Sequence, residues 1–350
     1  VMSFLPSRAT AVATALAASA ALVLAGCGSG STSTDSGATA GAGGDAAAFP
    51  VTIEHHYGKT TIEKKPVRVA TVGWANHEVP LALGIVPVGM AEALWGDDDN
   101  DGVLPWVEDK LTELKAQTPP LFDEDDGIDF EGVANTKPDV ILAAYSGLTQ
   151  EEYDTLTKIA PVVAYPEVAW GTSWQDMVTL NSTALGLKAE GEALVKDLES
   201  FVRDEFAKNP ELAGKKVLWS YFDPKDLSQI GMYTTHDTRP GFLKEFGMGT
   251  PAIVETMSKD SKDFYLQVSS EKADEFKDVD VAVTYAPADL LGKVQSDPLL
   301  AQIPAVKKGA VAILPDATPI AASANPSPLS IKKTLPDYLK ALSEALKKNV

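Results

Sequence analysis

The sequence predicts an α/β protein of two similar lobes with central, mainly parallel sheets, joined by one long helix and leaving a cleft between the lobes. Three observations carry this reading. At 350 residues the chain exceeds the roughly 250–300 over which a single core keeps growing. Short apolar strands alternate with helical segments on both sides of Thr172–Lys208, and that alternation makes parallel sheets. Residues 131–145 and 271–285 also read as copies of one unit: Glu131, Lys137 and Tyr145 recur as Glu271, Lys277 and Tyr285. The copies fall one on each side of the central helical stretch.

That stretch is read as a helix over Thr172–Lys208. Thr172 with Gln175 has capping-box spacing. Trp174, Met177, Val178 and Leu185 follow at helical intervals, and Gly186 marks a break. From Ala189 the pattern resumes with Leu194, Leu198, Phe201 and Val202 on one face, and Asn209-Pro210 stops it. Glu192/Lys196, Glu199/Arg203 and Asp204/Lys208 are acid-before-base pairs on the outer side. Such a helix is either packed inside one lobe or a strut between two, and the repeat favours the strut.

The start of the chain is of a different kind. Arg8 precedes an Ala-rich apolar run that ends in Leu24-Ala25-Gly26-Cys27. This resembles a bacterial lipobox, in which the Cys is acylated, rather than a plain secretory signal or a short transmembrane anchor. Cys27 is the single cysteine, so no disulfide is expected. The Gly-, Ser-, Thr- and Ala-rich segment that follows has too little apolar surface to fold and reads as a tether. The expected division is 1–26 signal peptide, 27–48 tether, 49–170 N-terminal lobe, 171–210 bridging segment and 211–350 C-terminal lobe. The formal charge is −19; residues 1–26 hold one Arg and no acid, so the rest carries −20. That disfavours nucleic acid or an anionic membrane as partner of the folded part.

In the first lobe, Val51–Ile53 and Thr60–Ile62 flank a turn and predict a hairpin. Val67–Val72, Ile85–Met90, Asp139–Ala144 and Pro161–Ala164 read as strands. Thr149 and Glu152 have capping-box spacing for the helix between the last two. Ligands of such sheets sit beyond the C-terminal strand ends, which places Trp74, Tyr145 and Trp170 near a cleft, and Trp95 is a further aromatic candidate. In the second lobe Lys216–Phe222, Val279–Tyr285 and Val311–Leu314 read as strands, with helices over Pro240–Phe246, Pro304–Lys308 and Leu329–Lys348. Tyr221, Tyr233, His236, Arg239 and Tyr285 occupy the corresponding ends. Asp97, Asp99, Asp101, Gly102 and Glu108 match calcium-loop spacing, with an acidic surface loop as the plainer reading.

Catalytic signatures are missing. No nucleophile elbow, Walker loop or dinucleotide fingerprint occurs, and His77-Glu78 lacks the second His of a zinc helix. His55 and His56 sit in a predicted strand and are expected at the surface.

Together the lipobox, the tether, the paired lobes and the bridging helix resemble the solute-binding lipoproteins of ferric-siderophore and cobalamin ABC importers. The most specific stretches are Val67–Gly89, Phe130–Leu142, Gln267–Glu271 and Ile303–Leu314. The resemblance implies a binding protein, not an enzyme, with no cofactor of its own. It would be held on the extracytoplasmic face of the cell membrane by lipid on Cys27 and would act as a monomer. The implied ligand is a ferric siderophore, with haem or cobalamin as same-class alternatives and an envelope enzyme or interaction module as a different class. In that family a Glu on each lobe docks to the permease, and the matching positions are Glu131 and Glu271. The ligand-binding candidates are the aromatics above with His236 and Arg239. A stiff strut implies small closure and a preformed cleft suited to a bulky chelate.

Overall fold

In the computed structural model, which describes residues 48–349, the chain opens on a hairpin of β1 (Val51–His55) and β2 (Gly58–Ile62), paired antiparallel as expected. The signal segment, Cys27 and nearly all of the tether lie outside the described residues. Within the hairpin His55 is buried, contrary to expectation, because its Nε2 sits 2.9 Å from the Thr60 hydroxyl under the Tyr153 ring. His56 is exposed.

β3 (Val69–Thr71), β4 (Met90–Ala91), β5 (Leu121–Phe122), β6 (Val140–Ala143) and β7 (Val162–Ala164) follow. β3, β6 and β7 form a parallel sheet in the order β3-β6-β7. Their residues are buried throughout, the pattern of strands covered on both faces. The strand expected over Ile85–Met90 shrinks to β4 and one bridge from Gly89 to Ala70. Pro87 has no N–H to give to a ladder, so the run cannot pair along its length. The helix Gln150–Leu156 starts on the predicted capping box of Thr149 and Glu152.

The second sheet contains β8 (Val217–Asp223), β9 (Asp226–Tyr233), β10 (Tyr265–Ser269), β11 (Val281–Ala286) and β12 (Val311–Pro315), in the order β10-β9-β8-β11-β12. β8, β11 and β12 are parallel, while β9 and β10 run antiparallel at one edge. The sequence repeat has a structural counterpart. Val69 pairs with Val140 in one sheet as Val217 pairs with Val281 in the other. Just before these strands the Asp139 carboxylate accepts the N–H groups of Val67 and Arg68, and Asp280 accepts that of Lys216.

The bridging stretch is two helices, Trp174–Ala184 and Lys188–Ala207, broken where Gly186 takes a φ of +69°. The first packs on β1, β7 and the helix Glu78–Ala82; the second packs on the terminal helix Ser330–Leu346, which covers β11 and β12. The first helix is capped by Ser173, whose hydroxyl accepts from Asp176 N, and not by Thr172 with Gln175. Thr172 is buried and spends its hydroxyl on Ala144 O at 2.6 Å. Of the expected surface pairs only Glu199–Arg203 forms; Glu192 takes Lys188 and Lys208 takes Glu205.

Contacts across the lobes stiffen the frame further. Glu78, fully buried, accepts from Trp106 Nε1 at 2.7 Å and from Leu329 N at 2.8 Å. A carboxylate of the first lobe thus caps the terminal helix of the second, where free N–H groups favour an anion. Burial pushes the Glu78 pKa up to about 7, against the pull of those hydrogen bonds. Asp109 also pairs with Lys333, and Gln175 Nε2 donates to Glu245 at 2.7 Å. No helix of the described residues is long and apolar enough to cross a membrane.

In the acidic loop Asp97, Asp99 and Asp101 bring carboxylate oxygens within 4.8 Å of one another, and Pro105 starts the helix Pro105–Glu113 as expected. These carboxylates accept N–H groups of their own loop, Gly102 N on Asp97 among them.

Candidate ligand-binding site

Between the two sheets lies a cleft of about 510 Å³. Its walls are built at strand ends, as the α/β rule requires. Trp74 follows β3, Tyr145 follows β6 and Trp170 lies beyond β7; Tyr221 is in β8, Tyr233 ends β9 and Tyr285 is in β11. Trp95 and Arg239 complete the predicted set that the fold brings together. His236 does not join it. Its Nε2 lies 3.0 Å from Ser258 O, and the ring faces an outer groove with Lys244 and Lys259. The adjacent Asp237 turns inward instead.

The first-lobe wall is fixed by Asn76. This buried side chain donates to Val72 O and Tyr145 O, each at 2.8 Å, and accepts from Tyr145 N at 3.1 Å. Asn181 of the bridging helix also donates to it at 3.1 Å. The loops carrying Trp74 and Tyr145 are therefore tied to each other and to the bridge. Glu124 holds the same turn by accepting Gly73 N at 2.9 Å, and burial pushes its pKa up to about 7.

Trp170 sits at φ +60°, a left-handed conformation unusual for a bulky residue. Its N–H donates to Ser146 O at 2.9 Å, and its ring meets that of Tyr145 edge-on at 5.5 Å. A Cβ on Gly147 would stand 2.2 Å from Trp170 Nε1. Gly147→Ala is therefore expected to push the indole out of place. We expect chelate affinity to fall about fivefold, the scale of one lost aromatic contact of about 1 kcal/mol. Titration of the variant checks this; unchanged affinity would remove Trp170 from the ligand contacts.

On the opposite wall Arg239 lies over the Tyr233 ring, its guanidinium carbon 4.3 Å from the centroid. Its Nε donates to Asp237 Oδ1 at 2.9 Å, and the two side chains are 14% and 0% exposed. Asp237 also caps the helix Thr238–Glu245 by accepting Arg239 N. Its other oxygen, Oδ2, is buried without a hydrogen-bond partner among the described residues. Burial raises the Asp237 pKa and Arg239 opposes the rise. Burial works against the Arg239 charge, yet Asp237 and the surrounding tyrosines hold its pKa above the ordinary value. Tyr285 is buried, which raises its pKa, and its ring meets Trp95 edge-on at 5.1 Å.

Four lining residues escaped the sequence reading: Phe264, Asp316, Ala322 and Asn325. Asn325 Nδ2 donates to the Tyr145 hydroxyl at 2.9 Å, and its Oδ1 accepts from Thr238 at 2.7 Å, so it spans the cleft floor. Asp316 directly follows β12, and the strand-end rule was signal enough to find it.

Known proteins share this fold. The crystal structure of Streptococcus pneumoniae PiaA in complex with ferrichrome is 46% identical, with a TM-score of 0.81 over 85% of this chain and 99% of that one. A Bacillus subtilis protein named "Probable siderophore-binding lipoprotein YfiY" is 27% identical over 237 residues, 67% of each chain. Staphylococcus aureus SirA complexed with staphyloferrin B, at 22% identity and a TM-score of 0.64 over 85% of this chain and 98% of that one, shares the fold. The family model described as periplasmic binding protein, a family of solute binders and not of enzymes, matches residues 69–318, and the chain belongs to that family.

Proposed function

We propose that this protein captures a ferric siderophore outside the cell membrane and delivers it to the permease of an ABC importer. The observation that carries this is the cleft itself, with three Trp and four Tyr arranged around one part-buried Arg. Aromatic faces give broad, rigid contact to a bulky chelate, and a guanidinium suits its ligand oxygens. The likeness to PiaA, a protein seen with ferrichrome, supports a chelate of that kind. In this reading the siderophore's own oxygens hold the iron, and the aromatic walls bind the organic shell around it. The ties across the lobes support a cleft that closes little on binding.

In this reading the lobes over 49–170 and 211–350 close on the chelate about the bridging segment 171–210. Lipid on Cys27 anchors the protein and residues 27–48 give it reach. Glu131 and Glu271 meet the permease. With Trp74, Trp95 and Trp170 in the cleft, ferric ferrichrome is expected to quench tryptophan fluorescence saturably, and the iron-free siderophore much less. Flat titrations across ferric siderophores, haem and cobalamin would overturn the proposal.

A further inference from the structure

We infer that Asp316 is a specificity-determining residue, giving the cleft a preference for ferric chelates with a pendant primary ammonium over neutral or anionic chelates of the same core. The inference rests on the siderophore reading above and goes on to the charge of the ligand.

Two charged side chains line the cleft, Arg239 and Asp316. They are not equivalent. Arg239 is neutralised in place by Asp237, a partner with no exposed side-chain surface. Asp316 has no ion pair among the described residues, so the uncompensated charge of the lining is negative. The remaining lining is aromatic, apolar or amide.

The carboxylate is oriented as well as free. Its Oδ1 accepts from Ala317 N at 3.0 Å and from Trp95 Nε1 of the opposite lobe at 3.3 Å. Its Oδ2 has no protein partner among the described residues. Asp316 is exposed at the rim, and Tyr221, also at the rim, feels its charge. A chelate bedded on the aromatic walls would leave a pendant chain at this rim. An ammonium there meets an acceptor already held by two donors, so little order is lost on pairing. A pendant carboxylate meets like charge. Because the pair stays partly hydrated, the preference is modest.

The test uses the ferric complex of ferrioxamine B, whose chain ends in an ammonium, with its N-acetyl (neutral) and N-succinyl (anionic) derivatives. All three share one trishydroxamate core. Fluorescence titration at low salt is expected to rank ammonium over acetyl over succinyl, with about three- to fivefold between the first two. At about 0.5 M salt the ratio should shrink, because the Debye length falls to a few ångströms. Asp316→Asn keeps an acceptor for Ala317 and Trp95 but loses the charge, and should bring the ratio to about one. A ratio of one in the unaltered protein, or the same ratio in Asp316→Asn, overturns the inference and leaves the siderophore reading standing. If ferrichrome binds and none of the three ferrioxamines does, the inference falls alone; flat titrations across ferric siderophores, haem and cobalamin overturn both.

Discussion

Reversing Glu131 and Glu271 together to Arg is expected to abolish siderophore uptake in cells while the purified protein keeps its affinity for the chelate. An exposed Glu is ordinarily solvated and contributes little. These two differ by their placement. Glu131 lies in the first turn of the helix Phe130–Asn135, which leads into β6, and Glu271 lies in the 3₁₀ helix Ser270–Phe276, which leads into β11. Both are exposed. A helix that precedes a strand in an α/β unit runs antiparallel to it. Each Glu is therefore carried toward the strand end where Tyr145 or Tyr285 enters the cleft. One carboxylate per lobe on the cleft side could set both position and orientation on a permease carrying matching Arg. Charge pairs of this kind govern recognition and encounter rate more than affinity, and a like-charge contact costs several kcal/mol. Each single reversal should lower uptake and the double reversal should stop it, measured as accumulation of radioactive iron with ligand titration as control. Full uptake by the double variant removes the docking assignment; lost chelate binding would instead place these residues in the cleft.

How much of this was legible in the sequence depended on whether local chemistry or tertiary packing decided the outcome. Trp74, Tyr145, Trp170 and Tyr285 could be found because each lies at or beside a buried apolar strand, and the ends of parallel strands face the ligand side. The bridge was legible from its spacing, and Gly186 from its conformational freedom. β9 was not: Asp226–Tyr233 breaks polar–apolar alternation at Ser228-Gln229 and carries Gly231, and its place comes from pairing with β8 and β10. Ala322 and Asn325 fall in a connection whose course is set by the other lobe. A Cβ on Gly96 would lie 2.4 Å from that of Ala322, and Glu78 holds Leu329 N. His236 was misplaced for the converse reason. It is one residue from Asp237, and only the burial of that carboxylate beneath Arg239 decides which of the neighbours faces inward.

The same buried pair makes Arg239 the most consequential single residue of the cleft. Arg239→Ala should weaken binding of an anionic ferric chelate by about 1.5–3 kcal/mol, the range for hydrogen bonds to charged groups. It should also destabilise the fold by about 3–5 kcal/mol, because Asp237 is left buried without its counter-charge. The two effects separate by pH and by a second substitution. Without the guanidinium, burial acts on Asp237 against only the backbone N–H of residue 239, and its carboxyl pKa rises further above the unfolded value. A carboxyl raised in the folded state binds its proton more tightly there than in the unfolded chain. Its contribution is thus fully present below the unfolded pKa and is lost as pH rises through the folded pKa. The instability of Arg239→Ala should accordingly be greatest at neutral pH and shrink as pH falls toward about 4, the unfolded pKa of Asp. Adding Asp237→Asn removes the charge altogether and should restore most of the stability at neutral pH, measured by urea unfolding, without restoring affinity. A double variant that regains both would mean that Arg239 only balances Asp237. One that regains stability alone would leave the guanidinium as a contact made to the chelate itself.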